Sequence, residues 1–496
     1  MLFEMKNGLF VLAIGLSVAQ TMAQNTVDSL RTLQDNREVN ILDATANPAT
    51  LHSKIYPQYG FATVEVKGIS GNFVRPMEAA SSNALGIETG GIKRFNGWIF
   101  KTLFNYKKQY DTQIAWSGVN NAYEGNPFVW ADSSNGNWER DQIKASINVA
   151  SPLIFKKLTA GLSIDYDIGS GARLTEPKPF YRQRYIALQP GFQWQLTPTK
   201  TFGVAGKAHF LKEENELGFF GNNNVLLYRL RGFGTFSKSP FVSGERKRDG
   251  LEMQATAHYA QQNDDYQVIF SAFAAQRDEE VIEGIAIPQT TGYFTELRFG
   301  GNVVLKKGNA QKGVSVAVAF QLKDGFADDV IFNAESASYS ETLLSADFNI
   351  WRSDLGKNAL RQFTFSPILR LTDYVDQATQ TQWNTTNVGG VVKYNWRKSV
   401  ANLHFQIQPF AGYYSVVQSD FINRKPNVIT KELITPDYQY FTSNYAQMGV
   451  TASLQINQPR AAIVHAISVN AFNSLVMGSP IFNNRNNFQL NYSIIF

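Results

Sequence analysis

The feature that most limits what this chain can become is a period-two alternation that recurs from Tyr59 to the last residue. In the final stretch Phe488, Leu490, Tyr492, Ile494 and Phe496 alternate with Gln489, Asn491 and Ser493. Successive strand residues point to opposite faces, so large apolar groups take one side and small polar groups the other. Earlier runs repeat the pattern. Leu158, Ala160, Leu162, Ile164 and Tyr166 oppose Thr159, Ser163, Asp165 and Asp167, and Val314, Val316, Val318, Phe320 and Leu322 oppose Ser315, Gln321 and Lys323. Segments of about ten residues with this alternation, separated by turns, mark strands with lipid on one face and a polar lumen on the other.

A secreted β-sandwich shares the alternation, but its wet face usually carries charge and its terminal residues fray. Here the strand runs to the carboxylate and finishes on Phe496. The closing stretch resembles the last strand of Gram-negative outer-membrane barrels. That resemblance makes Phe488, Leu490, Tyr492, Ile494 and Phe496 the expected assembly signal read by the barrel-insertion machinery.

Composition agrees. Phe 36, Tyr 21 and Trp 8 in 496 residues supply the aromatics that such a barrel places at both membrane interfaces. The chain has no Cys, which excludes disulfides, thiolate metal sites and a lipid-modified cysteine. A net charge of +5 over 18% charged residues is too diffuse for a nucleic-acid surface.

Lys6 followed by Gly8 to Leu16 reads as a secretory leader, and Thr21-Met22-Ala23 offers small residues at a cut. The expected organisation is a signal peptide over 1–23, a periplasmic N-terminal segment over 24–57 and a barrel over 58–496. The leader's apolar run is too short for a membrane helix, and no later stretch approaches one. An exported chain that is membrane-bound without helices must close into a barrel.

Turn lengths fall into two classes. Short connections are expected at Asn96-Gly97, Thr197 to Lys200, Asn263 to Asp265, Asp354 to Asn358, Lys398-Ser399 and Pro459-Arg460. Long ones are expected at 111–140, 169–183, 214–248 and 417–437. Outer-membrane barrels have short periplasmic turns and long extracellular loops. Starting in the periplasm, a walk along the chain counts about eighteen strands within a bracket of fourteen to eighteen, and every short turn falls on one side.

Strand parity points a set of polar side chains inward. The lumen-lining candidates are Lys101, Lys207, His209, His258, Arg298, Arg370 and His404, accompanied by Lys144, Lys393, Asp165, Asp167, Glu252, Glu296 and Asp347. Charges of both signs argue against a selective ring and for pairing inside the lumen. No histidine pair has metal-ligand spacing, so no metal or cofactor is expected. There is no Gly-x-Ser-x-Gly elbow, and His52-Ser53 has no acidic orienter beside it, so no enzyme is expected. Pro190, Pro367 and Pro409 interrupt strong strands on the apolar face, as bends in a wide barrel or as marks of a lateral exit.

Asn47-Pro48-Ala49, just ahead of the first strand, resembles the N-terminal hatch of the long-chain fatty-acid channel family, and a plain turn accounts for the three residues equally well. The mature chain as a whole is similar to a Bacteroidota outer-membrane barrel family of unassigned function. That resemblance implies outer-membrane lipid as surroundings, and a TonB-dependent receptor or a lipoprotein as partner. Two functions follow: a transport channel or uptake barrel for a small solute, narrowed by residues 24–57 or by the loop 214–248, and a non-conducting accessory subunit of a larger outer-membrane complex.

Overall fold

The computed structural model describes residues 45–53, 58–218, 226–240, 244–263, 265–309, 311–354, 356, 358–458 and 461–496. The expected leader, the turn at Pro459-Arg460 and most of the segment 24–57 lie outside the described residues. The first half supplies β1 (Tyr59–Gly71), β2 (Ser81–Phe95), β3 (Trp98–Ala115), β4 (Trp130–Ala131), β5 (Asn135–Ala150), β6 (Leu158–Arg173) and β7 (Phe180–Thr197). Next come β8 (Lys200–Leu217), β9 (Leu226–Leu230), β10 (Phe236–Pro240), β11 (Gly244–Gln262), β12 (Tyr266–Glu283), β13 (Gln289–Gly308) and β14 (Lys312–Asp329). The last are β15 (Ala334–Asp354), β16 (Ala359–Asp376), β17 (Thr381–Val400), β18 (Leu403–Asn423), β19 (Asn444–Gln458), β20 (Ile463–Met477) and β21 (Asn484–Ile495).

Eighteen of these strands form one sheet in which each pairs antiparallel with the next in sequence. The sheet closes because β1 pairs with β2 on one side and with β21 on the other. The result is a transmembrane antiparallel barrel with the strand count read from the sequence. The remaining three, β4, β9 and β10, form a small separate sheet in the loops.

Alternation is borne out on both faces. Val64, Val66, Leu85, Phe192, Trp194 and Phe320 are exposed on the outside, and the residues between them point into the lumen. Asn96 and Gly97 have φ of 48° and 82°, the positive values a two-residue hairpin turn demands. The turn expected at Lys398-Ser399 sits three residues later, at Ala401-Asn402, because β17 and β18 keep pairing through Val400 and Leu403. Likewise the connection expected over 169–183 shrinks to 174–179. Beyond the lipid the outward residues need not be apolar, so a strand outlasts its own alternation. The exposed pair Arg182–Glu216, at 2.9 Å, lies on such an extension.

Each of the three prolines leaves a gap of two residue pairs in one ladder: β7 with β8 at Pro190, β15 with β16 at Pro367, and β17 with β18 at Pro409. Proline has no N–H to donate. Register is the same on both sides of every gap, so these are local interruptions and not bulges.

The seam depends on the end of the chain. Gly60 N–H donates to Phe496 O at 2.7 Å, and Phe496 N–H donates to Gly60 O at 2.9 Å. The Phe496 ring lies over Gly60, where an added Cβ would fall 3.0 Å from its Cζ. Gly60→Val should therefore lower the yield of folded barrel severalfold in a reconstituted insertion assay, and Phe496→Asp should do the same. Ser493→Ala, which faces the lumen, should leave the yield unchanged. Equal yields for all three would remove the seam from the account.

Candidate functional site

The long-loop end of the lumen is covered by a folded cap. Met77 from the 72–80 connection, Val119, Val129 and Ala131 from 116–134, Tyr228 and Leu230 from 226–240, and Ile429 and Leu433 from 424–443 form one buried apolar cluster. Every member comes from a connection and none from the barrel wall. Trp130 and Ala131 pair with Arg229 and Tyr228, which ties two of the connections into the small sheet. The fourth contributes a π-turn over Thr430–Ile434 and a helix over Thr435–Phe441.

Polar contacts fasten the cap around the perimeter. Arg75 donates to both oxygens of Asp437 at 2.6 Å, and its guanidinium lies 3.4 Å from the centroid of the Tyr123 ring. Burial alone would make that guanidinium harder to charge, but Asp437 beside it raises its pKa above the ordinary arginine value. Tyr123 is pushed up by burial, which keeps its hydroxyl protonated as the acceptor for the Met77 N–H. Asp132 pairs with Arg173 at 2.8 Å with both side chains fully buried. Asn126 donates to Glu279 at 2.6 Å, Trp130 to Glu283, and Thr235 to Asp376 at 2.6 Å. Arg231 reaches Asp329 at 3.3 Å, and Asn427 donates to the Gly234 carbonyl at 3.0 Å.

Below the cap, β8, β11, β12 and β13 carry a belt of four arginines and four glutamates on their inward faces. Arg246 and Arg248 lie 3.7 and 3.2 Å from Glu213, and Arg248 also meets Glu124 of the cap at 2.6 Å. Arg277 lies 3.4 Å from Glu279 and 3.3 Å from Glu296. Arg298 closes the belt at 2.5 Å from Glu252 and 3.3 Å from Glu296. Tyr339 donates to Glu296 from β15. Such charges are tolerated away from water because each lies within 4 Å of an opposite charge, and Arg246, the most loosely paired, also donates to Asn215 at 2.8 Å.

The short-turn end has its own feature. Pro48–Ser53 forms a 3-10 turn packed on the inner faces of β5, β6 and β7. Asn47 donates its amide to the Phe192 and Val204 carbonyls at 2.9 and 3.1 Å, and its Oδ1 accepts from the Ala49 N–H. Gln189 donates to the Ala46 carbonyl, and Ser53 to Gln193 at 3.0 Å. Three glycines make the seat flat. An added Cβ would fall 2.6 Å from Pro48 C at Gly161, 3.0 Å from Asn47 Cγ at Gly191 and 2.9 Å from Asn47 Nδ2 at Gly203. Leu51 joins Tyr59, Ile92, Ile99, Ala150 and Val464 in a second apolar cluster. Beside the turn lies a polar cavity of about 280 Å³, lined in part by His52, Gln193, Gln195, Thr201 and Gln262.

The lumen-lining candidates are dispersed through this interior. Lys101 is exposed on β3, and Lys207 and His209 follow each other up β8, His209 edge-on to Tyr185 at 5.7 Å. His258 is buried against Gly203, and His404 lies between Ser399 and Asn457 at 2.7 and 2.9 Å. Arg298 is in the belt; Arg370 faces inward from β16 with no acidic partner in ion-pair distance among the described residues. Lys144 meets Asp167 at 3.3 Å, and Asp347 accepts from Ser366. The structure therefore gathers Arg298, Glu252 and Glu296 in the belt and joins Lys144 to Asp167 in a separate pair. No metal-holding cluster of His, Cys, Asp and Glu occurs among the described residues. The cap residues were not singled out by alternation. Their signal is the apolar runs Pro127-Phe128-Val129-Trp130 and Leu226-Leu227-Tyr228 inside otherwise polar loops.

A family model spans residues 48–496, from the seated turn to the closing phenylalanine. The chain belongs to that family, DUF6850, a family of unknown function. None of the curated proteins matches this DUF6850 chain. Solved structures similar to it include the ferric preacinetobactin receptor BauA from Acinetobacter baumannii, at 7% identity and a TM-score of 0.41, covering 89% of this chain and 80% of that one. The outer-membrane transporter YddB from Escherichia coli is similar at 7% identity and a TM-score of 0.40, over 89% and 81%. The toluene transporter TodX from Pseudomonas putida is similar at 10% identity and a TM-score of 0.32, over 92% and 93%.

Proposed function

We propose that this DUF6850 protein is an outer-membrane transport barrel that rests closed, with its own loops as the gate. The observation that supports it most is the loop-built apolar core over a lumen lined by polar side chains. Eighteen strands enclose a lumen wide enough for water unless something fills it. Here the fillings are the cap at one end and the seated turn at the other. In this reading the leader over 1–23 directs export, and the short-turn end faces the periplasm. Residues 24–57 act as a hatch, and Phe488, Leu490, Tyr492, Ile494 and Phe496 present the assembly signal. Lys101, Lys207, His209, His258, Arg298, Arg370 and His404 line the path that a small solute takes once the cap lifts.

Planar-bilayer recordings test the gate. The intact protein should conduct little, while replacing Leu226–Pro240 by a short linker, or combining Arg75→Ala with Asp437→Ala, should raise single-channel conductance severalfold. Heat-dependent gel migration checks that the barrel remains folded. The second reading, an accessory subunit docked to a TonB-dependent receptor, is favoured by the fully buried Asp132–Arg173 pair, which fixes the cap firmly. It wins if the folded variants stay silent and the protein co-purifies with a large outer-membrane partner.

A further inference from the structure

Five exposed cations stand together on the outer surface at the short-turn end: Lys307 on β13, Lys312 on β14, Arg352 on β15, Arg361 on β16 and Lys398 on β17. The register sets Lys312 directly across from Arg352, and Arg352 across from Arg361. Lys307 and Lys398 are the diagonal neighbours at either end, since they pair two residues off the row. Like charges opposite one another on a sheet are destabilising. None of the five forms an ion pair with an acidic group among the described residues. The fold by itself gives no reason to place them side by side.

Their height supplies one. Lys312 is two residues from the exposed Val314, Arg352 two from Ile350, Arg361 two from Phe363 and Lys307 two from Leu305. Two residues of strand span about 7 Å, so the row lies just past the edge of the lipid-facing surface, at headgroup depth. Trp396, directly across from Arg361, is an interfacial aromatic at the same level. The row is also confined to one side of the barrel. At the same end Phe405, Ile456, His465, Ile494 and Gly60 hold the outward positions from β18 round to β1.

We propose that this row binds the phosphate headgroups of anionic glycerophospholipid in the leaflet at the short-turn end. A phosphodiester brings opposite charge to cations that have no ion-pair partner among the described residues, and the acyl chains lie against the apolar residues above. The lipid would offset the repulsion among the five cations and hold β13 to β17 in a fixed lipid collar. Each cation near such a surface strengthens attachment roughly fivefold.

Native mass spectrometry of the whole protein tests this. The protein is released from micelles containing equal amounts of dioleoyl-phosphatidylglycerol and dioleoyl-phosphatidylcholine. The wild type should retain phosphatidylglycerol in preference. Lys312→Gln, Arg352→Gln and Arg361→Gln combined should weaken that retention on the order of a hundredfold. Lys108→Gln, Lys212→Gln and Lys247→Gln, at the other end of the barrel, should leave it unchanged. Equal retention of both lipids by the wild type, or equal retention by wild type and row variant, overturns the proposal. If the triple variant folds poorly, Arg361→Gln alone and wild type at raised ammonium acetate concentration each must lose part of the preference, and persistence in both overturns it. Binding of an acidic protein through the row, with no lipid preference, would also overturn it and reassign the surface.

Discussion

Replacing Arg248 by methionine should destabilise the protein by about 3–5 kcal/mol, the usual cost of removing one partner from a buried ion pair. Its side chain is 3% exposed and meets Glu213 at 3.2 Å, Glu124 at 2.6 Å and Glu279 at 3.9 Å. Methionine fills much of the space and supplies none of the charge. Glu213 and Glu279 would then face each other with only Arg246 and Arg277 at their outer sides. Because Glu124 belongs to the cap, the loss should show there first. Limited proteolysis should cut within 116–134 at denaturant concentrations that leave the barrel folded. Arg182→Met removes an exposed pair with Glu216 and should cost no more than about 1 kcal/mol. Equal shifts of the urea midpoint for the two variants would mean that the belt holds nothing.

Gly161→Val should eject the seated turn. The added Cβ would fall 2.6 Å from Pro48 C and 2.7 Å from Ala49 Cα, and both neighbours are backbone that cannot rotate away. Overpacking of this kind costs about 1–3 kcal/mol, and the chain can escape it by releasing Pro48–Ser53 along with the Asn47 hydrogen bonds. The expected result is protease cleavage ahead of Tyr59 in an otherwise folded barrel, with a rise in conductance if the turn narrows the lumen. Gly206→Val, on β8 where the nearest atom is 4.0 Å away, is the matched control and should change neither readout. An uncut Gly161→Val protein would show that the wall yields in place of the turn.

Much of the architecture was legible in the sequence. Phe488 to Phe496, the Asn96-Gly97 turn and the two classes of turn length led directly to a closed barrel with the observed eighteen strands. Parity also turned Arg298, Glu252 and Glu296 to the inside, where the structure pairs them. What alternation missed were the strand extensions past the lipid, as at Lys398 to Val400, where hydrogen bonding continues after the apolar requirement lapses. It also missed the role of the 116–134 and 424–443 connections, because loop residues that pack against one another follow no fixed period.

By itself the sequence determined the barrel. Lipid outside and a polar lumen inside act on each strand residue separately, so the pattern is written locally, two residues at a time. Only the tertiary structure decided how the lumen is closed. Arg248 and Glu124 are 124 residues apart, and Asn47 and Val204 are 157 apart. Such pairs exist only once the register of the strands has fixed which side chains share a height. The cap follows the same logic, since Met77, Val129, Tyr228 and Leu433 become one core only after the closed wall has brought their four connections over a common mouth.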